Sequence, residues 1–147
     1  MKIKTSSPQQ TKKLGERLAR RVLRSRPGRG AKIIALAGDL GSGKTTFTQG
    51  FARALGVRSR IMSPTFILIR RSKLRGPRYK NFYHIDAYRL KKPEEFLKLG
   101  LREILHNPQS IVLIEWADKL RPILPQKRIS LQFRYGESPD SRSISVE

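Results

Sequence analysis

Gly38-Asp39-Leu40-Gly41-Ser42-Gly43-Lys44-Thr45 fits the phosphate-binding pattern G-x-x-x-x-G-K-[ST] without a mismatch. The spacing has a chemical reason. Glycines at 38, 41 and 43 let the backbone turn through conformations that a Cβ penalises. The N–H groups of Asp39, Leu40, Gly41, Ser42 and Gly43 can then converge on phosphate oxygens. Lys44 reaches the β- and γ-phosphates, and the Thr45 hydroxyl is placed to ligate Mg2+. A helix starting at the loop adds its positive N-terminal end to the same anion site.

The flanking residues supply the context that the pattern needs. Lys32 to Ala37 is a short, mostly apolar run, as a buried parallel strand would be. Phe47, Phe51 and Leu55 recur at four-residue spacing after the loop, and Gly56 offers a helix stop. Strand, loop and helix stand in the order that phosphate binding requires. An ordinary glycine-rich turn would leave Lys44 and Thr45 as coincidences.

A chain of 147 residues with 37% hydrophobic content fits one α/β domain, spanning 1–147, with a sheet covered by helices. No apolar run reaches the ~18 residues of a membrane span. The absence of Cys excludes disulfides and thiolate metal sites, and two histidines make a histidine zinc centre a poor fit. A reducing cytoplasm is the expected compartment. The charge is unusual: 32 Lys and Arg against 11 Asp and Glu give +21, which favours polyanionic partners, nucleic acid first. A generally basic proteome would explain the same number without a partner.

Outward from the loop, Met1 to Thr5 is expected as an edge strand. Ser7 and Pro8 start a helix whose Leu14, Leu18 and Val22 face the core and whose other face is rich in Lys and Arg. Phe66 to Ile69 and Asn81 to Asp86 read as two strands, joined by a solvated basic hairpin around Gly76-Pro77. Pro93 opens a helical region that Gly100 divides. Ile111 to Ile114 run into Glu115, as in a buried strand ending at the phosphates, where the carboxylate holds Mg2+ or orients water. Lys127 to Tyr135 is a further strand, and Ile144 to Val146 is expected at an edge. Thr65, in a loop past the first helix, suits a nucleotide switch.

Four segments then occur in order: the loop at 38–46, Ser63-Pro64-Thr65-Phe66, His84-Ile85-Asp86-Ala87-Tyr88-Arg89-Leu90, and Leu113-Ile114-Glu115-Trp116-Ala117. Together they closely resemble the bacterial TsaE (YjeE) family of small P-loop ATPases in tRNA threonylcarbamoyladenosine synthesis. The resemblance implies a single P-loop NTPase domain with a mixed, mostly parallel sheet, and ATP hydrolysis with Mg2+. It also implies partnership with a TsaD–TsaB threonylcarbamoyl-transferase complex, which brings tRNA. In that reading Lys44, Thr45 and Thr46 serve the phosphates and metal, and Thr65 belongs to a switch. Asp86 and Glu115 are the acidic site residues, with Trp116 beside them. Two other readings use parts of the same sequence. One is a small-molecule or nucleotide kinase with Arg75 and Arg78 on a lid; the other is a non-catalytic basic nucleic-acid-binding module.

Overall fold

The computed structural model describes residues 1–57 and 69–147. The elements in chain order are β1 (Lys2–Thr5), α1 (Pro8–Arg24), β2 (Lys32–Gly38), α2 (Lys44–Ala54), β3 (Ile69–Lys73) and β4 (Asn81–Asp86). They continue with α3 (Glu94–Leu97), α4 (Leu101–Leu105), β5 (Ser110–Glu115), a 3-10 helix (Ala117–Ile123), β6 (Ile129–Tyr135) and β7 (Arg142–Val146). The strands form one seven-stranded mixed sheet in the order β1-β7-β6-β2-β5-β4-β3. The centre, β6-β2-β5-β4, is parallel, and antiparallel strands close it on both sides.

Period-two alternation divides two cores. Ile34, Leu36, Phe82, Ile111 and Leu113 face α1 and α2 together with Phe47, Phe51 and Phe133. Ile33, Ala35, Ile85, Val112 and Ile114 face α3, α4 and the 3-10 helix. Every residue of β5 is buried, which matches its unbroken apolar run in a strand covered on both faces. Helices α1 and α2 approach through glycines. A Cβ on Gly50 would lie 2.0 Å from Lys12 O, and one on Gly15 2.2 Å from Phe47 O. This contact fixes α2, and with it the loop that α2 closes.

Local signals explain the helix ends. Ser7 Oγ accepts from Gln10 N at 3.2 Å and Pro8 opens α1, satisfying an N-terminal donor where proline costs nothing. Gly56 takes φ 84° just past α2, and Gly100 takes φ 86° between α3 and α4.

One expectation is corrected. Strand β7 lies between β1 and β6, so 144–146 is interior to the sheet and β1 alone forms that edge. The basic stretch at 70–80 keeps its charges in solvent, with Arg71, Lys73, Arg75, Arg78 and Lys80 all exposed, but apolar side chains within it dock it onto the fold. Arg70, Arg71 and Lys73 belong to β3, where Arg71 donates to Asn81 Oδ1 across the pair, and Leu74 and Tyr79 are buried. Long cationic side chains on an edge strand leave the backbone free to pair on its inner side. Residues 66–68 of the expected strand lie outside the described residues.

Candidate functional site

The loop 38–43 joins the C-terminal end of β2 to the first turn of α2. Gly43 is the N-cap of α2 at φ 105°, in the left-handed region where a side chain is strained. The loop is tied down from the next strands. Tyr135 OH donates to Leu40 O, and Arg142 Nη2 donates to Gly41 O at 3.2 Å. The Arg142 guanidinium also stacks on the Tyr135 ring, 5.0 Å from its centroid.

Lys44 is buried although it is cationic, with 4% exposure. Its ammonium donates to Gly38 O at 2.5 Å and Asp39 O at 2.8 Å, and lies 4.0 Å from the centre of the Trp116 ring. Burial holds its pKa below the ordinary 10.5, partly countered by Glu115 and then by Asp118, Asp39 and Asp86. Trp116 reaches this place from a backbone at φ 60°, the one non-glycine in the left-handed region among the described residues. Such a conformation costs on the order of 1–2 kcal/mol, so packing must hold it. Tyr88 also lies against Trp116, with ring centroids 5.0 Å apart.

Glu115 ends β5 beside the loop. Thr45 Oγ1 donates to Glu115 Oε1 at 3.0 Å, while His84 Nε2 meets Oε2 at 2.6 Å, with both His84 and Glu115 side chains 2% exposed. Both carboxylate oxygens are thus anchored. Asp86 pairs in register with Glu115 across β4 and β5, and its Oδ1 accepts from Tyr88 N at 2.9 Å. Leu40, Gly41, Gly43, Lys44, Thr45, Thr46, Glu115 and Trp116 line one cleft of ≈150 Å³, which Pro8 and Thr11 of α1, Asp140 and Arg142 complete.

The structure therefore brings together Lys44, Thr45, Thr46, Glu115 and the loop residues Leu40, Gly41 and Gly43, with Asp86 one strand away. Asp39 offers its carbonyl to Lys44, and Ser42 is buried beneath the loop. Thr65 lies outside the described residues. Arg75 and Arg78 do not cover the cleft: Arg78 Nη1 donates to Arg24 O at the far end of α1. Sequence reasoning missed His84 as a partner of Glu115. The signal was present, since alternation along β4 sets residues 84 and 86 on the same face. Tyr135 and Arg142 had no comparable signal, because their contact with the loop depends on tertiary placement.

The family model for "Threonylcarbamoyl adenosine biosynthesis protein TsaE" matches residues 5–144. The chain belongs to the TsaE family. It is similar to a tRNA threonylcarbamoyladenosine biosynthesis protein TsaE of Haemophilus influenzae, 40% identical over 116 residues, which are 79% of this chain and 70% of the relative. A Bacillus subtilis TsaE is 37% identical over 145 residues, covering 99% of this chain and 84% of the relative. The crystal structure of Bacillus subtilis YdiB superposes with a TM-score of 0.75 at 33% identity, covering 99% of this chain and 83% of that one. Membership in TsaE places the chain in tRNA threonylcarbamoyladenosine biosynthesis, a process that implies partner proteins. No helix among the described residues is long and apolar enough to cross a membrane.

The donor set can be tested against Mg2+. Among the described residues no group of three His, Cys, Asp or Glu side chains gathers to hold a metal. The Thr45 hydroxyl and Glu115 carboxylate are hard oxygen donors in contact. Mg2+ dehydrates reluctantly and is commonly held by one or two such groups with waters and phosphate oxygens. The residues fit that ion.

Proposed function

We propose that the protein is an ATPase of one domain, working in the cytoplasm, which binds ATP with Mg2+ at the 38–46 loop and hydrolyses it in concert with TsaD- and TsaB-like proteins. The observation that carries this reading is the convergence of Lys44, Thr45 and Glu115, with Thr45 Oγ1 and Glu115 Oε1 3.0 Å apart at the C-terminal ends of parallel strands. That is where open α/β sheets place their ligands.

Each residue then has a task. The N–H groups from Asp39 to Gly43 and the N-terminal end of α2 cradle the β-phosphate, and Thr46 adds its hydroxyl. Lys44 exchanges two carbonyl partners for phosphate oxygens, with Trp116 keeping the ammonium at the cleft. Thr45 and Glu115 would hold Mg2+, which when bound neutralises charge on the β- and γ-phosphates. His84 fixes the Glu115 carboxylate, and Asp86 beside it supplies a second acidic group for positioning water. Thr65 is assigned to a switch that reports the γ-phosphate to the partner. Nucleotide can drive such a switch only if the partner binds its two states with different affinity.

The test compares ATP turnover with and without a TsaD–TsaB complex in the wild type and in Glu115→Gln. The expected result is stimulation of the wild type by the complex, and ATP binding without appreciable turnover in the variant. Full turnover in Glu115→Gln would show the carboxylate to be structural.

A further inference from the structure

Two basic segments that are distant in the sequence form one surface in the fold. Helix α1 buries Gly15, Ala19 and Val22 and leaves Arg17, Arg20, Arg21 and Arg24 exposed. The β3–β4 hairpin folds back onto the end of this helix. Arg78 Nη1 donates to Arg24 O, and Tyr79 OH donates to Ser25 O at 3.1 Å, with the Tyr79 ring in the same core as Val22. Exposed Arg75 and Lys80 are thereby carried to the C-terminal end of α1.

This charge is sorted rather than spread. No Asp or Glu occurs from Arg17 to Gly38 or from Leu40 to Ile85. Glu16 is the one carboxylate of α1, and its pair with Arg20 is long, 3.8 Å, to an arginine 61% exposed. Exposed pairs of that kind do little to hold or neutralise a side chain. On the opposite face of the sheet, α3 and α4 mix Glu94, Glu95 and Glu103 with Arg102 and with the flanking Lys91, Lys92 and Lys98. A uniformly basic composition would have removed carboxylates from both faces alike.

The chemistry of the surface favours phosphates over a protein partner. A protein interface needs an apolar centre, yet none of the exposed large apolar side chains, Met1, Leu40, Tyr88, Leu99 and Tyr135, lies on α1 or the hairpin. Among the described residues of α1 and the hairpin, no exposed aromatic ring offers a stacking platform for bases either. Guanidinium groups remain, and these match phosphate oxygens. We infer that the outer face of α1 and the tip of the β3–β4 hairpin together bind the backbone of a folded RNA, through phosphate contacts independent of base sequence. Of α1 only Pro8 and Thr11, in its first turns, line the nucleotide cleft, so Lys44→Met leaves RNA binding through Arg17, Arg21, Arg24 and Arg75 intact whatever becomes of ATP hydrolysis.

The experiment measures affinity for an unmodified tRNA transcript and for a duplex RNA of scrambled sequence between 50 and 200 mM salt. Arg17, Arg21, Arg24 and Arg75 make no side-chain hydrogen bond or ion pair among the described residues, so changing all four to Gln preserves the fold, as a thermal melt would verify. If each meets one phosphate, the wild type loses about a hundredfold in affinity over that salt range through these contacts alone. The variant should lose that share of the salt dependence on both RNAs. A matched control, Lys91, Lys92, Lys98 and Arg102 to Gln on the α3–α4 side, should keep it. Equal losses in the two variants would overturn the inference, as would absence of RNA binding at 50 mM salt. Tighter binding to poly-glutamate than to RNA would assign the surface to an acidic protein instead.

Discussion

Replacing His84 with Phe removes the partner of Glu115 Oε2 from a pair whose side chains are both 2% exposed. A hydrogen bond to a charged group contributes about 1.5–3 kcal/mol, and leaving its buried partner unsatisfied costs about 1–3 kcal/mol or somewhat more for a charged group. The ring itself is retained, so little cavity is created. A loss of about 2–4 kcal/mol follows. In a chain of 147 residues each kcal/mol moves Tm by about 2–4 °C, so His84→Phe should melt roughly 5–15 °C below the wild type. His84→Gln keeps an N–H donor near the Nε2 position and should lose less than about 1 kcal/mol. A double-mutant cycle with Glu115→Gln isolates the pair, with an expected coupling of at least about 1 kcal/mol. Because the freed carboxylate no longer holds its orientation, kcat should fall in His84→Phe while ATP affinity stays nearly unchanged. Wild-type Tm and kcat in His84→Phe, or a coupling near zero, would refute the role given to this contact.

Three further outcomes are expected. Gly50→Ala places a methyl group 2.0 Å from Lys12 O, forcing α1 and α2 apart; a loss of about 2–3 kcal/mol in chemical denaturation is expected, and a wild-type midpoint would contradict the packing. Burial holds the Lys44 pKa below 10.5, and bound phosphates favour the charged ammonium. ATP affinity is therefore full below the free-protein pKa and declines as pH rises past it, a dependence that Lys44→Met should abolish in titrations at fixed ionic strength. Thr65→Ala should weaken nucleotide-dependent binding to a TsaD–TsaB complex more than it weakens ATP binding, as measured by partner affinity with ADP and with ATP.

Most of the central sheet was legible because burial on both faces leaves a strong mark. Lys32 to Ala37 and Ile111 to Ile114 are apolar runs with no competing helical period, and both are parallel strands. Ser7-Pro8, Gly56 and Gly100 marked helix ends by local backbone chemistry alone. The edges were harder. Whether 144–146 ends a sheet or lies within it depends on where β1 pairs, a contact between the two ends of the chain. The hairpin at 70–80 was read from its charge, whereas burial of Leu74 and Tyr79 decides how it docks. At the site, Lys44, Thr45 and Glu115 follow from motif and strand end. The His84–Glu115 contact is a tertiary one, visible in sequence only as the parity of positions 84 and 86.

The proposed ATPase function requires Lys44 and its loop to bind the phosphates of ATP. Calorimetric titration of Mg·ATP into the wild type and Lys44→Met tests it most directly. Charge-assisted hydrogen bonds worth about 1.5–3 kcal/mol predict that the variant binds roughly 10- to 100-fold more weakly while melting as a folded protein. Equal affinity in the two proteins would contradict the account.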